Sequence, residues 1–331
     1  MSQHLLEADD LARSFPGRRG LTSLLSGAPP PAVRALNGVS LYIAKGETLA
    51  IVGESGCGKS TLARALVRLI DIDSGQIVFD NTDVRTLAGD ALRAYNRRVQ
   101  MVFQDPYGSL NPRMRIGEIL GEALTVHRLA APAAIPARIA ELLSLVGLPA
   151  TAANLLPHQF SGGQRQRIAI ARALSVEPDL LIADEIVSAL DVSVQAQILN
   201  LLLDLQQRLH LSIIFVSHDL RVVRHVAHRV AVMYLGRIVE TGPAEDVFAT
   251  PLHPYTKALL QAAPSLHPRK PNQPRASTAP ALSGELPSPL NIPNGCPFHP
   301  RCPAAFARCA AEVPRLHVAE NGQRATCHLL D

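Results

Sequence analysis

Short apolar runs and alternating stretches occupy residues up to about 103 and again from 180 to 239, and a helical period lies between them. Thr48-Leu49-Ala50-Ile51-Val52 is an unbroken run ahead of Gly53, and residues 47–52 read as a short buried strand. Behind it Leu62, Ala65, Leu66 and Leu69 recur at helical spacing, which predicts a helix over 61–70. An alternating stretch ending near Phe15 predicts an edge strand, and Pro16-Gly17-Arg18-Arg19-Gly20 and Pro29-Pro30-Pro31 predict an exposed loop after it. Alternation resumes at Val39, Leu41 and Ile43, so the strand at 47–52 is expected to have antiparallel company from its N-terminal side. Residues 75–79 and 99–103 read as further strands.

From about Leu110 to Leu174 the pattern turns helical, most clearly over 116–124, 135–146 and 164–174. This predicts a helical insertion, about 110–173, inside an α/β core. The core resumes with the strand Leu180-Leu181-Ile182-Ala183, a helix over 194–209, a strand over 212–216, a helix from Leu220 and a hairpin over 230–239 turning at Gly236. Residues 251–300 hold 12 of the 26 prolines, marking a linker and a separately organised tail. The expected organisation is a core of residues 1–250 and an extension of residues 251–331.

Composition narrows the class. Of 331 residues, 47% are apolar, enough for a packed core. The formal charge of +4 rests on 32 Lys and Arg against 28 Asp and Glu. Eight of those bases and four of those acids lie from residue 251 onward, leaving 24 of each in residues 1–250. That balance argues against a nucleic-acid-binding body, which concentrates cations on one face. No apolar run approaches the about eighteen residues that span a bilayer, and Met1-Ser2-Gln3-His4-Leu5-Leu6-Glu7 lacks the form of a signal peptide, so the chain is expected to be soluble and cytoplasmic.

The chemistry starts at Gly53-Glu54-Ser55-Gly56-Cys57-Gly58-Lys59-Ser60-Thr61, which fits the phosphate-loop pattern in the strand-loop-helix context that it requires. Its glycines let successive backbone N–H groups point at phosphate oxygens, at the positive end of a helix. Residues Gly53, Ser55, Gly56, Cys57, Gly58, Lys59, Ser60 and Thr61 are therefore candidates to bind a nucleotide triphosphate, with Lys59 on the β- and γ-phosphates and Ser60 on Mg²⁺. Asp184 ends an apolar strand and is the candidate second Mg²⁺ ligand; Glu185, one residue on, is the candidate base for the attacking water. Ser161-Gly162-Gly163-Gln164 opens a helix with a turn that exposes N–H groups, a second anion site in one chain. One triphosphate needs one cradle, so this second site is expected to act on the nucleotide of another copy.

These motifs, in this order, resemble the ATP-binding subunit of an ATP-binding cassette (ABC) transporter over about residues 5–260. The resemblance also takes in Gln104 after the strand at 99–103, Ser188-Ala189-Leu190-Asp191, and His218 after the strand at 212–216. It implies a P-loop NTPase fold of the ABC type with a helical signature subdomain, and ATP hydrolysis in a head-to-tail dimer. Gln104 resembles the glutamine that touches Mg²⁺ and the attacking water, His218 the switch histidine that steadies Glu185, and Asp191 the loop aspartate that lies against the opposite subunit. Ser161 and Gly163 would bind the γ-phosphate held by the other subunit. Phe15 is the candidate adenine platform, with Tyr42 as the alternative. The family usually places proline after the catalytic glutamate, where this chain has Ile186; altered loop stiffness with retained hydrolysis is expected. Cys57 lies near a helix N-terminus, where a thiol pKa tends to fall, but is read first as a small residue fitting a tight turn.

Two further segments narrow the resemblance. Gln104 to Arg113 and His253-Pro254-Tyr255-Thr256-Lys257-Ala258-Leu259-Leu260 are similar to segments of the dipeptide, oligopeptide and nickel importer subfamily, as is Cys296-Pro297-Phe298-His299-Pro300-Arg301-Cys302-Pro303. The resemblance implies two membrane-spanning permease subunits, a second ATPase subunit, an extracytoplasmic solute-binding protein, and a peripheral place on the cytoplasmic face of the bacterial inner membrane. Cys296, Cys302, Cys309 and Cys327 are separated by five, six and seventeen residues, which disfavours a structural zinc knuckle. Four thiolates suffice for a [4Fe–4S] cluster, and the resemblance points the same way; four unligated thiols are the other reading.

Overall fold

A computed structural model describes residues 4–17, 32–262 and 285–331. The loop residues Arg18–Gly20 and Pro29–Pro31, and the proline-rich stretch from 263 to 284, lie outside the described residues. The described strands are β1 (His4–Pro16), β2 (Ala32–Ala44), β3 (Thr48–Val52), β4 (Ser74–Phe79), β5 (Thr82–Asp83), β6 (Val99–Val102), β7 (Leu180–Asp184), β8 (Ser212–Ser217), β9 (Arg229–Tyr234), β10 (Arg237–Pro243), β11 (Leu316–Val318) and β12 (Arg324–Thr326).

The chain divides into two compact units. One gathers the chain start to Leu6, Ile43–Thr48 and Val78–Val216; the other gathers Glu7–Tyr42, Leu49–Ile77 and Ser217–Asp331. In the first, β6, β7 and β8 run parallel, with Val99 opposite Leu180 and Leu180 opposite Ser212. Every residue of β7 and β8 is buried, so these strands read as continuous apolar runs without alternation. The expected helical insertion is present as Ile116–Val126, Ile135–Leu145 and Gly162–Leu174. Along Ile116–Val126 the buried side chains Ile116, Ile119, Leu120 and Leu124 hold one face, as the 3.6-residue period requires.

In the second unit β3 is buried along its whole length and runs parallel to β9, with Leu49 opposite Arg229 and Val52 opposite Val232. The sequence reading gave β3 antiparallel company from the N-terminal side. Instead β1 and β2 belong to a different, four-stranded sheet in the order β2-β1-β4-β5. The helix after β3 ends at Leu66, and Arg68 turns back at φ 58°, so Leu69 is 58% exposed where the apolar spacing predicted a packed face.

The chain beyond residue 250, expected as a separately organised tail, falls in this same unit. β12 pairs antiparallel with β10, Glu240 opposite Ala325 and Thr241 opposite Arg324, and β11 pairs with β12. Glu240 is 1% exposed and accepts hydrogen bonds from the backbone N–H groups of Leu252 and His253, which fixes where the chain enters the helix Pro254–Ala262. Burial drives the His253 pKa down to about 3, so its ring is neutral, and its Nδ1 accepts from the Tyr255 N–H at 3.0 Å.

Candidate functional site

Gly58 is the residue at which the phosphate loop becomes a helix. Its φ is 109°, and a Cβ there would lie 2.2 Å from the Ala35 carbonyl oxygen, so both backbone angle and space require glycine. The helix Lys59–Leu66 therefore starts with no side-chain cap. Lys59 is buried, and its ammonium donates to the carbonyls of Gly53 at 2.8 Å and Glu54 at 3.0 Å, with Cys57 Sγ at 4.0 Å. Ser55 and Gly56 are exposed at the loop crown, and Ser60 and Thr61 are half-buried. Burial raises the Cys57 pKa against the opposing charge of Lys59, so the thiol is the small buried residue and not the activated one.

The same unit carries His218, exposed just after β8, beside Asp219. Arg221 holds the Asp219 carboxyl below its ordinary range through hydrogen bonds of 3.0 and 2.6 Å, and the adjacent His218 adds to the effect. Phe15 is half-buried with the Arg13 guanidinium 4.9 Å from its ring centre, and Arg229 lies 4.0 Å over Tyr42. Each candidate aromatic platform thus already carries a cation on one face.

In the other unit Asp184 is buried at the end of β7, and Glu185 follows at φ 49°, a conformation that a non-glycine residue adopts at a cost of about 1–3 kcal/mol. The Glu185 N–H donates to the Val216 carbonyl at 3.0 Å, and Ile186 is packed at 2% exposure. The Gln104 amide nitrogen reaches the Glu185 carboxylate at 3.2 Å and the Ser188 hydroxyl at 3.4 Å, so two motifs 81 residues apart converge.

Ser161 caps the helix Gly162–Leu174: its hydroxyl accepts from the Gln164 N–H at 3.3 Å while the Gln164 side-chain oxygen accepts from the Ser161 N–H at 3.0 Å. A Cβ at Gly163 would lie 2.3 Å from Val194 Cγ1, which ties this turn to the helix Val192–Leu209. Asp191 caps that helix, its carboxylate accepting from the Val194 N–H at 3.0 Å; this bond is the main cause of its lowered pKa. Ser161, Gly163, Gln164 and Asp191 therefore each have a local role besides any contact with nucleotide. Sequence reasoning missed Arg165, whose guanidinium stacks 3.8 Å over Tyr107, and Arg172, which donates to the Ser109 carbonyl; both link the segment after Gln104 to the Gly162–Leu174 helix.

The four tail cysteines are all free thiols; Cys296, Cys309 and Cys327 are buried and Cys302 is half-buried. Burial pushes the Cys296 pKa up to about 11, and the thiols of Cys327, Cys309 and Cys302 are near enough to add to the rise. Yet among the described residues no group of three or more His, Cys, Asp or Glu side chains is arranged to hold a metal ion. The expected [4Fe–4S] cluster therefore finds no support in this arrangement, in which the Cys296 N–H donates to the Cys309 carbonyl at 2.8 Å. No described helix is long and apolar enough to cross a membrane.

A phosphate loop after a buried strand, an acid pair after a second strand and a Ser-Gly-Gly helix start define a nucleotide-hydrolysing cassette. The ABC transporter family profile matches residues 36–188, and that of the oligopeptide/dipeptide transporter C-terminal region matches residues 239–309. A probable peptide ABC transporter ATP-binding protein of Sinorhizobium fredii is 52% identical over 99% of this chain and 91% of its own length. The di/tripeptide transport ATP-binding protein DppF of Pseudomonas aeruginosa is 49% identical over 98% and 97%. Among solved structures, cbiO1 of Clostridium perfringens aligns with TM-score 0.63 and 28% identity over 75% of this chain and 92% of its own. The ATP-binding cassette MJ0796, a dimer in a post-hydrolysis state with ADP and Pi, aligns with TM-score 0.62 and 28% identity over 72% and 98%. The chain belongs to the ABC transporter ATP-binding proteins, in their oligopeptide/dipeptide branch, and is an ATPase.

Proposed function

We propose that this chain powers the import of di- or oligopeptides, working with two membrane-spanning permease subunits, a second ATPase subunit and an extracytoplasmic solute-binding protein at the cytoplasmic face of the inner membrane. The observation that carries the reading is likeness to peptide-transport ATP-binding proteins at about half identity over nearly the whole chain, extension included.

Lys59 takes the β- and γ-phosphates, and the backbone of Gly53 to Thr61 cradles them. The hydroxyl of Ser60, the amide of Gln104 and the carboxylate of Asp184 are hard oxygen donors that suit Mg²⁺, which neutralises phosphate charge when bound. Glu185 accepts the proton of the attacking water, and the Gln104 amide at 3.2 Å holds its carboxylate in one orientation. His218 contacts the γ-phosphate, and Phe15 offers its half-buried ring to adenine. Ser161, Gly162, Gly163 and Gln164 of this chain complete the site of the second ATPase subunit, with Asp191 lying against that facing subunit. Residues 1–250 form the ATPase body and 251–331 an extension proper to the peptide-transport branch.

Two experiments test this. Glu185→Gln should keep ATP binding and lower hydrolysis by about 10²–10⁴-fold, since the amide preserves shape and loses the proton acceptor; hydrolysis at the parent rate rejects the base. Uptake of labelled dipeptides, longer peptides and Ni²⁺ in a deletion strain should show loss of peptide uptake, and loss of Ni²⁺ uptake alone would replace the substrate class.

A further inference from the structure

Glu54, the second residue of the phosphate loop, is gripped by two segments that the ATPase motifs do not explain. Its carboxylate accepts both terminal nitrogens of Arg301, at 2.7 and 2.9 Å, and its backbone N–H donates to the Tyr255 hydroxyl at 2.9 Å. Its carbonyl is one of the two that Lys59 holds. Arg301 belongs to the Cys-Pro-Phe-His-Pro-Arg-Cys-Pro segment, 247 residues from Glu54, and Tyr255 to the His-Pro-Tyr segment.

This grip is rigid for identifiable reasons. The Arg301 side chain is 5% exposed, and the paired carboxylate raises its pKa further. Phe298, three residues earlier, is fully buried against Tyr234 at 5.3 Å and Tyr255 at 5.4 Å, and Tyr234 and Tyr255 lie 4.6 Å apart. These packed rings fix both the guanidinium and the Tyr255 hydroxyl before any ligand arrives, and a bidentate arginine pair adds direction to charge. The Glu54 side chain keeps 24% of its surface, so its charge faces the loop's surroundings unless Arg301 offsets it.

We propose that Arg301 and Tyr255 are positioning residues of the phosphate loop, holding Glu54 in place and neutralising its carboxylate beside the incoming triphosphate. The proposal rests on the reading that this loop binds ATP. When the Lys59 ammonium turns from the loop carbonyls to phosphate, Glu54 loses that contact, and those to Arg301, Tyr255 and the Cys57 N–H keep the loop in its receiving shape. Without Arg301 the stranded carboxylate repels the triphosphate; without both charges the repulsion disappears.

The test is equilibrium binding of ATP to the full-length chain, with melting temperatures taken without nucleotide and KM and kcat measured in the assembled transporter. Arg301→Gln should weaken ATP binding about tenfold, and Glu54→Gln combined with Arg301→Gln should recover most of that loss. Tyr255→Phe keeps the ring in its cluster, so it folds, and should weaken binding about three- to fivefold by removing one acceptor. In both, the loss should fall on KM, with kcat within about twofold of the parent. Parent-like affinity in Tyr255→Phe and Arg301→Gln, with Lys59→Ala defective, overturns the proposal and leaves the ATP site standing, even where the melting temperature falls. Parent-like affinity in Lys59→Ala sinks the ATP reading itself and this proposal with it. A double variant no better than Arg301→Gln removes the neutralising role.

Discussion

The helix start at Gly58 and the helix start at Ser161 treat the same backbone chemistry in opposite ways. Both begin in a glycine-bearing turn, and both present the positive end of a helix. At Ser161 the chain satisfies its own donors, since Ser161 and Gln164 bond each other's backbone reciprocally. At Gly58 no side chain caps the helix, and the nearest cation, Lys59, rests on the loop's own carbonyls. The first arrangement is complete without a ligand. The second has no side-chain cap and keeps its lysine on backbone carbonyls, which fits the phosphate-receiving role proposed for it.

The largest expected difference is in nucleotide affinity. Lys59→Ala should weaken ATP binding by about 10²-fold or more, because it removes the charge that meets the phosphates. Ser161→Arg should leave the chain's own ATP affinity within about twofold while lowering dimer hydrolysis by about 10²-fold, as it obstructs only a partner's nucleotide. Equal loss of affinity in the two variants would break the comparison. Next comes packing: Gly163→Ala places a methyl against Val194 and should cost about 1–3 kcal/mol, read as a lower melting temperature. Combining it with Val194→Ala should restore most of the loss. Removing the cap alone, Ser161→Ala, should cost about 1 kcal/mol, with no counterpart at Gly58, where no cap exists to remove.

The smallest effect is one of pH. All five cysteines lie in the unit that carries Gly58, and none in the unit that carries Ser161. The fold raises the Cys296 pKa from 9.0 to about 11 and raises those of Cys57, Cys302 and Cys327 in the same direction. A raised pKa means that the native chain keeps a proton the unfolded chain gives up. The stabilisation is therefore whole below about pH 9 and is lost as the pH climbs through about 11. Under reducing conditions the melting temperature should fall over that interval, and Cys296→Ala should flatten the fall.

The parts of the site legible in the sequence were those written contiguously. The phosphate loop, the acid pair after β7 and the Ser-Gly-Gly turn each fit in a few residues, and their flanking strands and helices followed from hydrophobic period. What alternation could not supply was pairing. β2 alternates as well as any edge strand, yet its partners are in another sheet, because period fixes a face and not a neighbour. Leu69 kept the helical spacing but lies past the turn at Arg68, a stop that carries no glycine to announce it. The tail was read from its cysteines and from the likeness of two segments, neither of which shows that Phe298, Arg301 and Tyr255 gather beside Glu54 and one another. No local pattern pairs an arginine with a carboxylate 247 residues away.

The register of β12 on β10 limits how the chain can be shortened. Ending it at the proline-rich stretch, where composition invites a cut, would remove β12, the strand that faces Glu240 and Thr241, and take Gln323 from the buried Glu240 carboxylate. β10, still paired with β9, would become an edge strand carrying an acid that β12 had covered, and an open edge is a template for foreign strands, so the truncated chain would be prone to self-association. A fragment that precipitates would then report an uncovered sheet edge, and its silence in a nucleotide assay would say nothing about the phosphate loop.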